Sequence, residues 1–122
     1  MRHVSDEQLL RRFEKLLAED GCYTYDSIKA ALAAGDMQSF RHGRSWAITR
    51  VLDFPLKRVL QCSYVVGFLE DLDGLAERLE EFAKSIGAAE IRAAGRKGFV
   101  KHFSRFGWKQ GKTIFVKELH NG

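Results

Sequence analysis

The chain opens with two segments in which apolar residues recur at three- and four-residue steps, the spacing of a helix that buries one face. In the first segment these residues are Leu9, Leu10, Phe13, Leu16 and Leu17. Asp20-Gly21 predicts the end of that helix, because glycine readily adopts the left-handed backbone that closes helices. Thr24 is placed to cap a second helix, which Gly35 ends. The pattern therefore predicts two consecutive helices before Gly35.

The pattern then changes to the shorter period and β-favouring residues typical of strands. The segments Met37–His42, Ser45–Asp53 and Lys57–Gly67 predict three strands. Gly43 marks a turn between the first two strands. Pro55 separates the second strand from the third, because proline cannot donate a hydrogen bond to a central ladder. We expect these three strands to form an antiparallel meander.

A third helical segment follows, with apolar positions at Phe68, Leu72, Leu75, Leu79, Phe82, Ala83 and Ile86, and Gly87 closes it. Beyond it the pattern predicts a short strand, a short basic helix and a last strand at Glu90–Ala94, Gly98–Phe106 and Lys112–Leu119. The order α-α-β-β-β-α-β-α-β predicts one α+β (α/β three-layer-like) domain over residues 1–122. Its mixed, mostly antiparallel sheet would be flanked by helices.

Composition fits a folded protein, since 45% of the 122 residues are hydrophobic and 30% are charged. Cys22, Cys62 and the four histidines show no spacing of a metal site, so no metal is expected. The N-terminus has no apolar signal core, and no apolar run approaches the roughly 20 residues that span a bilayer. These features predict a cytoplasmic protein with no membrane partner.

The charges are distributed unevenly along the chain. Residues 70–90 hold seven acids, whereas residues 91–117 hold eight lysines and arginines and no acid. Gly95-Arg96-Lys97-Gly98 precedes a predicted helix that carries Lys101 and Arg105, an arrangement suited to capturing an anion. One hypothesis is weak, nonspecific binding of nucleic acid through this basic third. The alternative is a solvated basic face on a small domain.

Three motifs in the second half carry a resemblance to a known family. Leu79–Ala88 contains an aromatic–alanine pair before Gly-Ala, Glu90–Ala93 follows as a strand, and Phe103–Trp108 ends in an aromatic-x-x-x-Gly-aromatic motif. Together with the element order, these motifs resemble the GNAT superfamily of acyl-CoA N-acyltransferases. The resemblance covers roughly Met37 to Leu119. It implies a sheet that opens to hold acetyl-CoA, and it suggests a short, degenerate member of the kind found in bacteriophages and prophages.

The family holds the coenzyme pyrophosphate on a glycine-rich loop before the central helix. The matching stretch here is Gly67–Ala76, which includes Glu70, Asp71, Gly74 and Ala76. In one alignment Gly74-Leu75-Ala76 ends the motif, and in the other the glycines are absent. In both, Glu70, Asp71 and Asp73 would face the pyrophosphate, so we expect the usual cradle to be lost.

The family's catalytic acid and base are also missing from their usual positions. Phe103 occupies the place of the family's tyrosine and has no proton to give. The predicted strand Lys57–Gly67 contains no carboxylate, although the family often places a glutamate there. If the chain is active, Tyr64, Asp53 and His42 are the candidate replacements.

These losses predict a non-catalytic GNAT-fold binding or structural protein whose partners are other protein chains, with no cofactor. The resemblance to phage-type members suggests that it is phage-encoded and virion-associated. The virion, or the host cytoplasm, would then be its location. The alternative is an acetyl-CoA-dependent N-acetyltransferase with an atypical site. The second alternative is the weak nucleic-acid binder described above.

Overall fold

A computed structural model describes residues 6–93, 104–111 and 114–119 of the chain. The elements in chain order are α1 (Asp6–Asp20), α2 (Tyr25–Ala34), β1 (Gln38–His42), β2 (Ser45–Asp53), β3 (Arg58–Val66), α3 (Leu69–Ser85), β4 (Glu90–Ala93) and a 3-10 turn at Ser104–Phe106. The predicted α+β class is confirmed.

Within the described residues the strands form one sheet in the order β1-β2-β3-β4. The first three pair antiparallel, as the predicted meander requires. β4 pairs with β3 in parallel, so α3 is the crossover between two neighbouring parallel strands. The predicted β-α-β unit is therefore confirmed.

Local capping explains why α2 has its observed limits. The Thr24 side chain accepts a hydrogen bond from the Ser27 N–H at 3.1 Å, and the Ser27 hydroxyl oxygen accepts one from the Thr24 N–H at 2.8 Å. This reciprocal pair satisfies two amide groups at the helix start. Gly35 closes the helix in the left-handed conformation, with φ at 81°. The sequence prediction for both ends of α2 is confirmed.

Each face of the sheet carries its own hydrophobic core. The core under α1 and α2 contains Leu9, Phe13, Leu17, Ile28, Met37, Ile48, Tyr64 and Val66. The core under α3 contains Ala47, Leu60, Cys62, Leu72, Leu75, Leu79 and Ala83. Burial of these side chains on both faces is the main driving force for the fold.

A β-bulge at Ser63 changes which face of the sheet β3 presents to each core. Tyr64 pairs with Ile48 and Cys62 pairs with Thr49, so Ser63 has no partner on β2. Cys62 consequently packs under α3, whereas Tyr64 packs under α1 and α2. Strict alternation would have placed both side chains on one face.

The C-terminal elements differ from the sequence prediction. Of the predicted helix Gly98–Phe106, residues 98–103 lie outside the described residues, and Ser104–Phe106 form a single 3-10 turn. Residues 114–119 form no strand, although a strand was predicted at Lys112–Leu119. A strand needs a partner edge for its peptide groups, and none of the described strands pairs with residues 114–119.

Among the described residues, none of the helices is both long enough and apolar enough to cross a bilayer.

Phe13 holds the α1–α2 core together. Its ring lies 5.3 Å from the Trp46 ring and 5.7 Å, edge-on, from the Tyr64 ring, and it is 1% exposed. We expect Phe13→Ala to lower the free energy of unfolding by about 3–5 kcal/mol, because it leaves a cavity between helix and sheet. Urea denaturation followed by circular dichroism measures this loss. Leu56→Ala is the control, since Leu56 is 97% exposed, and a similar loss in both variants would contradict the packing described.

Candidate functional site

The described part of the β3–β4 ladder stops where the bulge begins. The parallel ladder joins residues 59–62 of β3 to residues 90–93 of β4, and its last pair is Cys62 with Ala93. β3 continues for four more residues to Val66. On the β4 side these four residues have no strand partner among the residues described here. We call the β4 side of residues 63–66, beyond the last described pair, the β3–β4 cleft.

The cleft leads to the start of α3 through a tight corner at Gly67. Gly67 has a φ of 141°, and a Cβ there would stand 2.5 Å from the Ser45 Cα. The Ser45 hydroxyl donates to the Phe68 carbonyl at 3.2 Å, and its oxygen accepts from the Phe68 N–H at 3.3 Å. Glycine and this buried serine therefore bring the N-terminus of α3 directly beside β2 and β3.

Arg44, in the turn between β1 and β2, neutralises the acids at the start of α3. Its backbone N–H and its Nε donate to Asp71 Oδ2 at 3.0 and 3.2 Å, and its NH2 donates to Glu70 Oε2 at 2.7 Å. The pKa of Asp71 is lowered, first by the Arg44 backbone N–H and further by its guanidinium. Asp71 is thus held as a carboxylate.

Two guanidinium groups also flank the residue that begins α3. Arg12 of α1 lies 4.5 Å from the centre of the Phe68 ring, and Arg44 lies 4.3 Å from it. Both contacts have the geometry of cation–π pairs. Phe68 is the N-cap of α3 and makes no side-chain cap hydrogen bond. The positive end of the helix is therefore accompanied by two arginines and remains without a side-chain cap.

This geometry corrects the expected charge repulsion at the helix start. Glu70 and Asp71 face Arg44, which offsets their charge, instead of projecting alone toward an anion. Gly74 and Ala76 lie inside α3 and not in a loop, and Gly74 packs against the His42 imidazole. Only Gly67 and Phe68 connect β3 to α3, so no glycine-rich loop lies between these two elements. This agrees with the alignment in which the glycines of the family motif are absent.

Tyr64 is the first residue after the bulge, and its hydroxyl donates a hydrogen bond to Asp20 at the end of α1. Its ring packs edge-on against Phe13 and, at 6.2 Å, against Tyr23. Burial, together with the bond to Asp20, raises the pKa of Tyr64 above its ordinary value. The phenol is therefore a stable donor that orients the Asp20 carboxylate.

An open groove lies beside this pair, between the end of α1 and the start of α2. Its lining includes Glu14, Leu17, Cys22, Tyr23 and Tyr25. Arg50 of β2 donates to the Tyr23 hydroxyl at 3.3 Å, which holds that ring at the edge of the groove. The groove adjoins the Asp20–Tyr64 pair through Tyr23, whose ring packs against the Tyr64 ring.

The other two candidate catalytic residues lie elsewhere. Asp53 is at the opposite end of the sheet, where its carboxylate accepts from Arg58 Nε at 2.6 Å. His42 ends β1, which is separated from β3 by β2. Its imidazole packs against Gly74 of α3. Only Tyr64 of the three lies in the unpaired part of β3.

The basic segment proposed for nucleic-acid binding is largely outside the structure. Arg96, Lys97 and Lys101 lie outside the described residues, and Arg105 is exposed in the 3-10 turn. Nucleic-acid binding stays a prediction. The described residues contain no cluster of histidine, cysteine and carboxylate side chains that could hold a metal ion.

Sequence reasoning missed three of the residues that shape this site. Asp20 was interpreted only as a helix end, because its partner Tyr64 is 44 positions away. Arg12 and Arg44 carried no motif, since their contacts with Phe68 depend on how three elements meet. The sequence offered one signal for Asp20: it is an acid directly before a segment that contains two tyrosines, Tyr23 and Tyr25.

No protein-family profile and no curated protein matches the sequence. The fold, however, is similar to that of several solved acetyltransferases. A Trypanosoma brucei acetyltransferase has a TM-score of 0.67 at 14% identity, with 97% of each chain covered. A predicted acetyltransferase with acetyl-CoA from Clostridium acetobutylicum has a TM-score of 0.64 at 13% identity, over 92% of this chain and 88% of that one. An aminoglycoside acetyltransferase from an uncultured soil metagenomic sample, in complex with sisomicin, has a TM-score of 0.67 at 15% identity, over 93% and 88%.

These similarities show that the chain has the GNAT acetyltransferase fold. They overturn the expectation of a non-catalytic binding or structural protein, because the structures that share the fold over nearly their whole length are acetyltransferases. The absent family tyrosine and the acids at the expected pyrophosphate position had suggested lost activity. A bacteriophage origin, a degenerate site, a cytoplasmic location and protein partners stay predictions.

The Arg44–Asp71 pair predicts how stability depends on pH. The unfolded carboxyl has a pKa of about 3.9, and the folded value is lower. Its stabilisation is therefore present at pH 7 and is lost as the pH falls through the lowered folded pKa. We expect Asp71→Asn to lower the melting temperature at pH 7, and the difference from wild type to shrink at pH 3.

Thermal denaturation at both pH values measures this effect. Glu81→Gln is the matched control, because Glu81 is an exposed acid further along α3. A constant difference for Asp71→Asn across the pH range would contradict the ion pair.

Proposed function

We propose that this chain is an acetyl-CoA-dependent N-acetyltransferase that moves an acetyl group to a primary amine at the β3–β4 cleft. One observation carries the proposal: the described β3–β4 ladder ends at the bulged residue Ser63, on the strand that leads to the N-terminus of α3. Acetyltransferases of the same fold, one of them solved with acetyl-CoA, support it.

The cleft fits the coenzyme in two respects. The peptide groups of residues 63–66 on the β4 side can hydrogen-bond the amides of a pantetheine arm, as another strand would. The diphosphate is suited to the uncapped start of α3, where Arg12 and Arg44 stand on either side of Phe68. Bound there, acetyl-CoA supplies an activated thioester carbonyl.

The Asp20–Tyr64 pair supplies the proton chemistry. An amine attacks only after it loses its extra proton, and we assign the Asp20 carboxylate to accept that proton, directly or through one water. As the C–N bond forms and the C–S bond breaks, the nitrogen loses its second extra proton to solvent and the leaving thiolate takes a proton from solvent. The raised pKa of Tyr64 makes it a poor donor to a thiolate, so Tyr64 is a positioning residue that fixes Asp20.

The acceptor amine reaches Asp20 through the groove between α1 and α2. Tyr23 and Tyr25 supply aromatic faces there, and Glu14 supplies a carboxylate. These groups favour a positively charged amine over an anionic acceptor. Asp53 and His42 take no part in this mechanism because they lie away from the groove.

We expect acetyl-CoA and CoA to bind with micromolar affinity and to weaken as salt rises, because the diphosphate contacts are ionic. Arg12→Gln should weaken binding about tenfold, since a hydrogen bond to a charged group is worth about 1.5–3 kcal/mol. Isothermal titration calorimetry at low salt measures both. Arg78→Gln removes the same charge from an exposed position further along α3 and is the control.

No heat and no thermal stabilisation up to millimolar acetyl-CoA would falsify the proposal. Equal losses in Arg12→Gln and Arg78→Gln would leave a nonspecific charge effect and contradict the assigned diphosphate site.

We expect Asp20→Asn to lower kcat by about 10²–10⁴-fold, the contribution of a positioned general base, with little change in the KM for acetyl-CoA. Tyr64→Phe should lower kcat less, because the carboxylate remains while its orienting bond is lost. Release of free CoA with a panel of polyamines, aminoglycosides and peptide N-termini measures both. Asp26→Asn, on the exposed start of α2, is the control.

Full activity in Asp20→Asn would remove Asp20 from the mechanism. A change confined to KM for the amine would instead make Asp20 a binding residue, and would also contradict its role as base.

A further inference from the structure

Tyr23, in the connection between α1 and α2, belongs both to the groove and to the surroundings of Asp20. Its side chain lines the groove. Its ring meets the Tyr64 ring edge-on, with 6.2 Å between the ring centres and 86° between the ring planes. Tyr64 in turn donates a hydrogen bond to the Asp20 carboxylate. Because the groove adjoins this pair at Tyr23, a molecule that moves from the groove toward Asp20 passes the Tyr23 ring.

Local hydrogen bonds fix the backbone on either side of Tyr23. Gly21 closes α1 in the left-handed conformation, with φ at 70°, and its N–H donates to the Leu17 carbonyl at 2.8 Å. Thr24 caps α2 through its side chain. Cys22 and Tyr23 are left between a closed helix end and a capped helix start. The place of Tyr23 along the groove is therefore set by its sequence neighbours, whereas the direction of its ring depends on distant contacts.

Arg50 of β2 supplies the contact that fixes the direction of the ring. Its NH1 donates to the Tyr23 hydroxyl oxygen at 3.3 Å, across 27 positions of sequence. Hydrogen bonds from a charged donor are stronger than those between neutral groups. The Tyr23 side chain is half-buried and packs against the core under α1 and α2. The Tyr64 ring on one side and the Arg50 guanidinium at the hydroxyl together hold the Tyr23 ring in one orientation.

We propose that Tyr23 selects the acceptor amine and that Arg50 is a positioning residue, which holds the Tyr23 ring between the groove and Asp20. This inference rests on the proposed function. The fixed ring offers an aromatic surface to an ammonium group, and Leu17 and Tyr25 give the groove apolar lining. The acceptor that fits is a primary ammonium at the end of an unbranched alkyl chain. A branched carbon next to the nitrogen would meet the fixed ring.

The charge around the groove agrees with a cationic acceptor. The whole chain has a formal net charge of +4. Residues 14–27, which supply the groove lining, nevertheless hold four acids and a single base; the acids are Glu14, Glu19, Asp20 and Asp26, and the base is Lys15. Such a local excess of negative charge raises the concentration of cations near the groove. The charge attracts the ammonium, and the ring orientation then decides which ammonium approaches Asp20.

Initial rates with hexylamine and cyclohexylamine test the selection, because these amines differ in branching at the carbon that bears nitrogen. We expect wild type to prefer hexylamine. Tyr23→Phe and Arg50→Met each delete one side of the same hydrogen bond, so each should raise the KM for hexylamine about threefold to tenfold and weaken the preference. The KM for acetyl-CoA and the melting temperature should stay unchanged. The double variant should match either single variant.

Two further variants separate position from charge. Arg50→Lys keeps a donor and should restore most of the preference for hexylamine. Arg78→Met removes an exposed arginine on α3 and is the control. If an active wild type and Tyr23→Phe share the same KM and the same preference, or if Arg78→Met loses as much as Arg50→Met, this inference alone is overturned. A wild type that acetylates neither amine overturns the proposed function as well.

A measurement that needs no activity tests the hold on the ring directly. The flip rate of the Tyr23 ring, followed by NMR on tyrosine-labelled protein, should be higher in Arg50→Met than in wild type and close to wild type in Arg78→Met. Equal flip rates in wild type and Arg50→Met would refute the positioning role of Arg50.

Discussion

The missing partner of Ser63 is the constraint on which the site depends. A two-residue period along β3 would keep Cys62 and Tyr64 on the same face, yet the unpaired residue between them sends Cys62 under α3 and Tyr64 under α1 and α2. The same irregularity coincides with the last β3–β4 pair, Cys62 with Ala93. A bulge increases local twist and changes the side-chain alternation, so one additional residue turns the tyrosine toward Asp20.

Arg44 links the β1–β2 turn to α3 and offsets part of the negative charge at the start of that helix. Acidic residues in a first helical turn stabilise the helix through its dipole, but alone they would repel an anionic ligand. With Arg44 bound to Glu70 and Asp71, and Arg12 also over the Phe68 ring, the helix start keeps its acids while part of their charge is offset. Glu70 and Asp71 can stabilise the helix dipole while their own charge is partly offset, because Arg44 belongs to a different element, the β1–β2 turn.

Local signals predicted most of the fold, and contacts between distant residues explain what they missed. Thr24 and Gly35 set the ends of α2 through their nearest neighbours, and the three-strand meander followed from turn residues and strand composition. Nothing in Cys62-Ser63-Tyr64, which lacks glycine and proline, distinguishes a bulge from regular strand. Asp71 and Arg44 are 27 positions apart, so their pairing appears only once the elements have packed. Motif positions alone therefore did not reveal these contacts.

The parallel β3–β4 ladder also has a consequence for how the molecule assembles in time. β1, β2 and β3 are neighbours in sequence as well as in space, so their contacts close short loops, whereas β4 reaches β3 only across the whole of α3. Closing longer loops costs more chain entropy and slows folding. We expect the meander to form early, and the docking of α3 with β4 to be the slow kinetic step. The region beside Ser63 would then be the last part of the protein to fold.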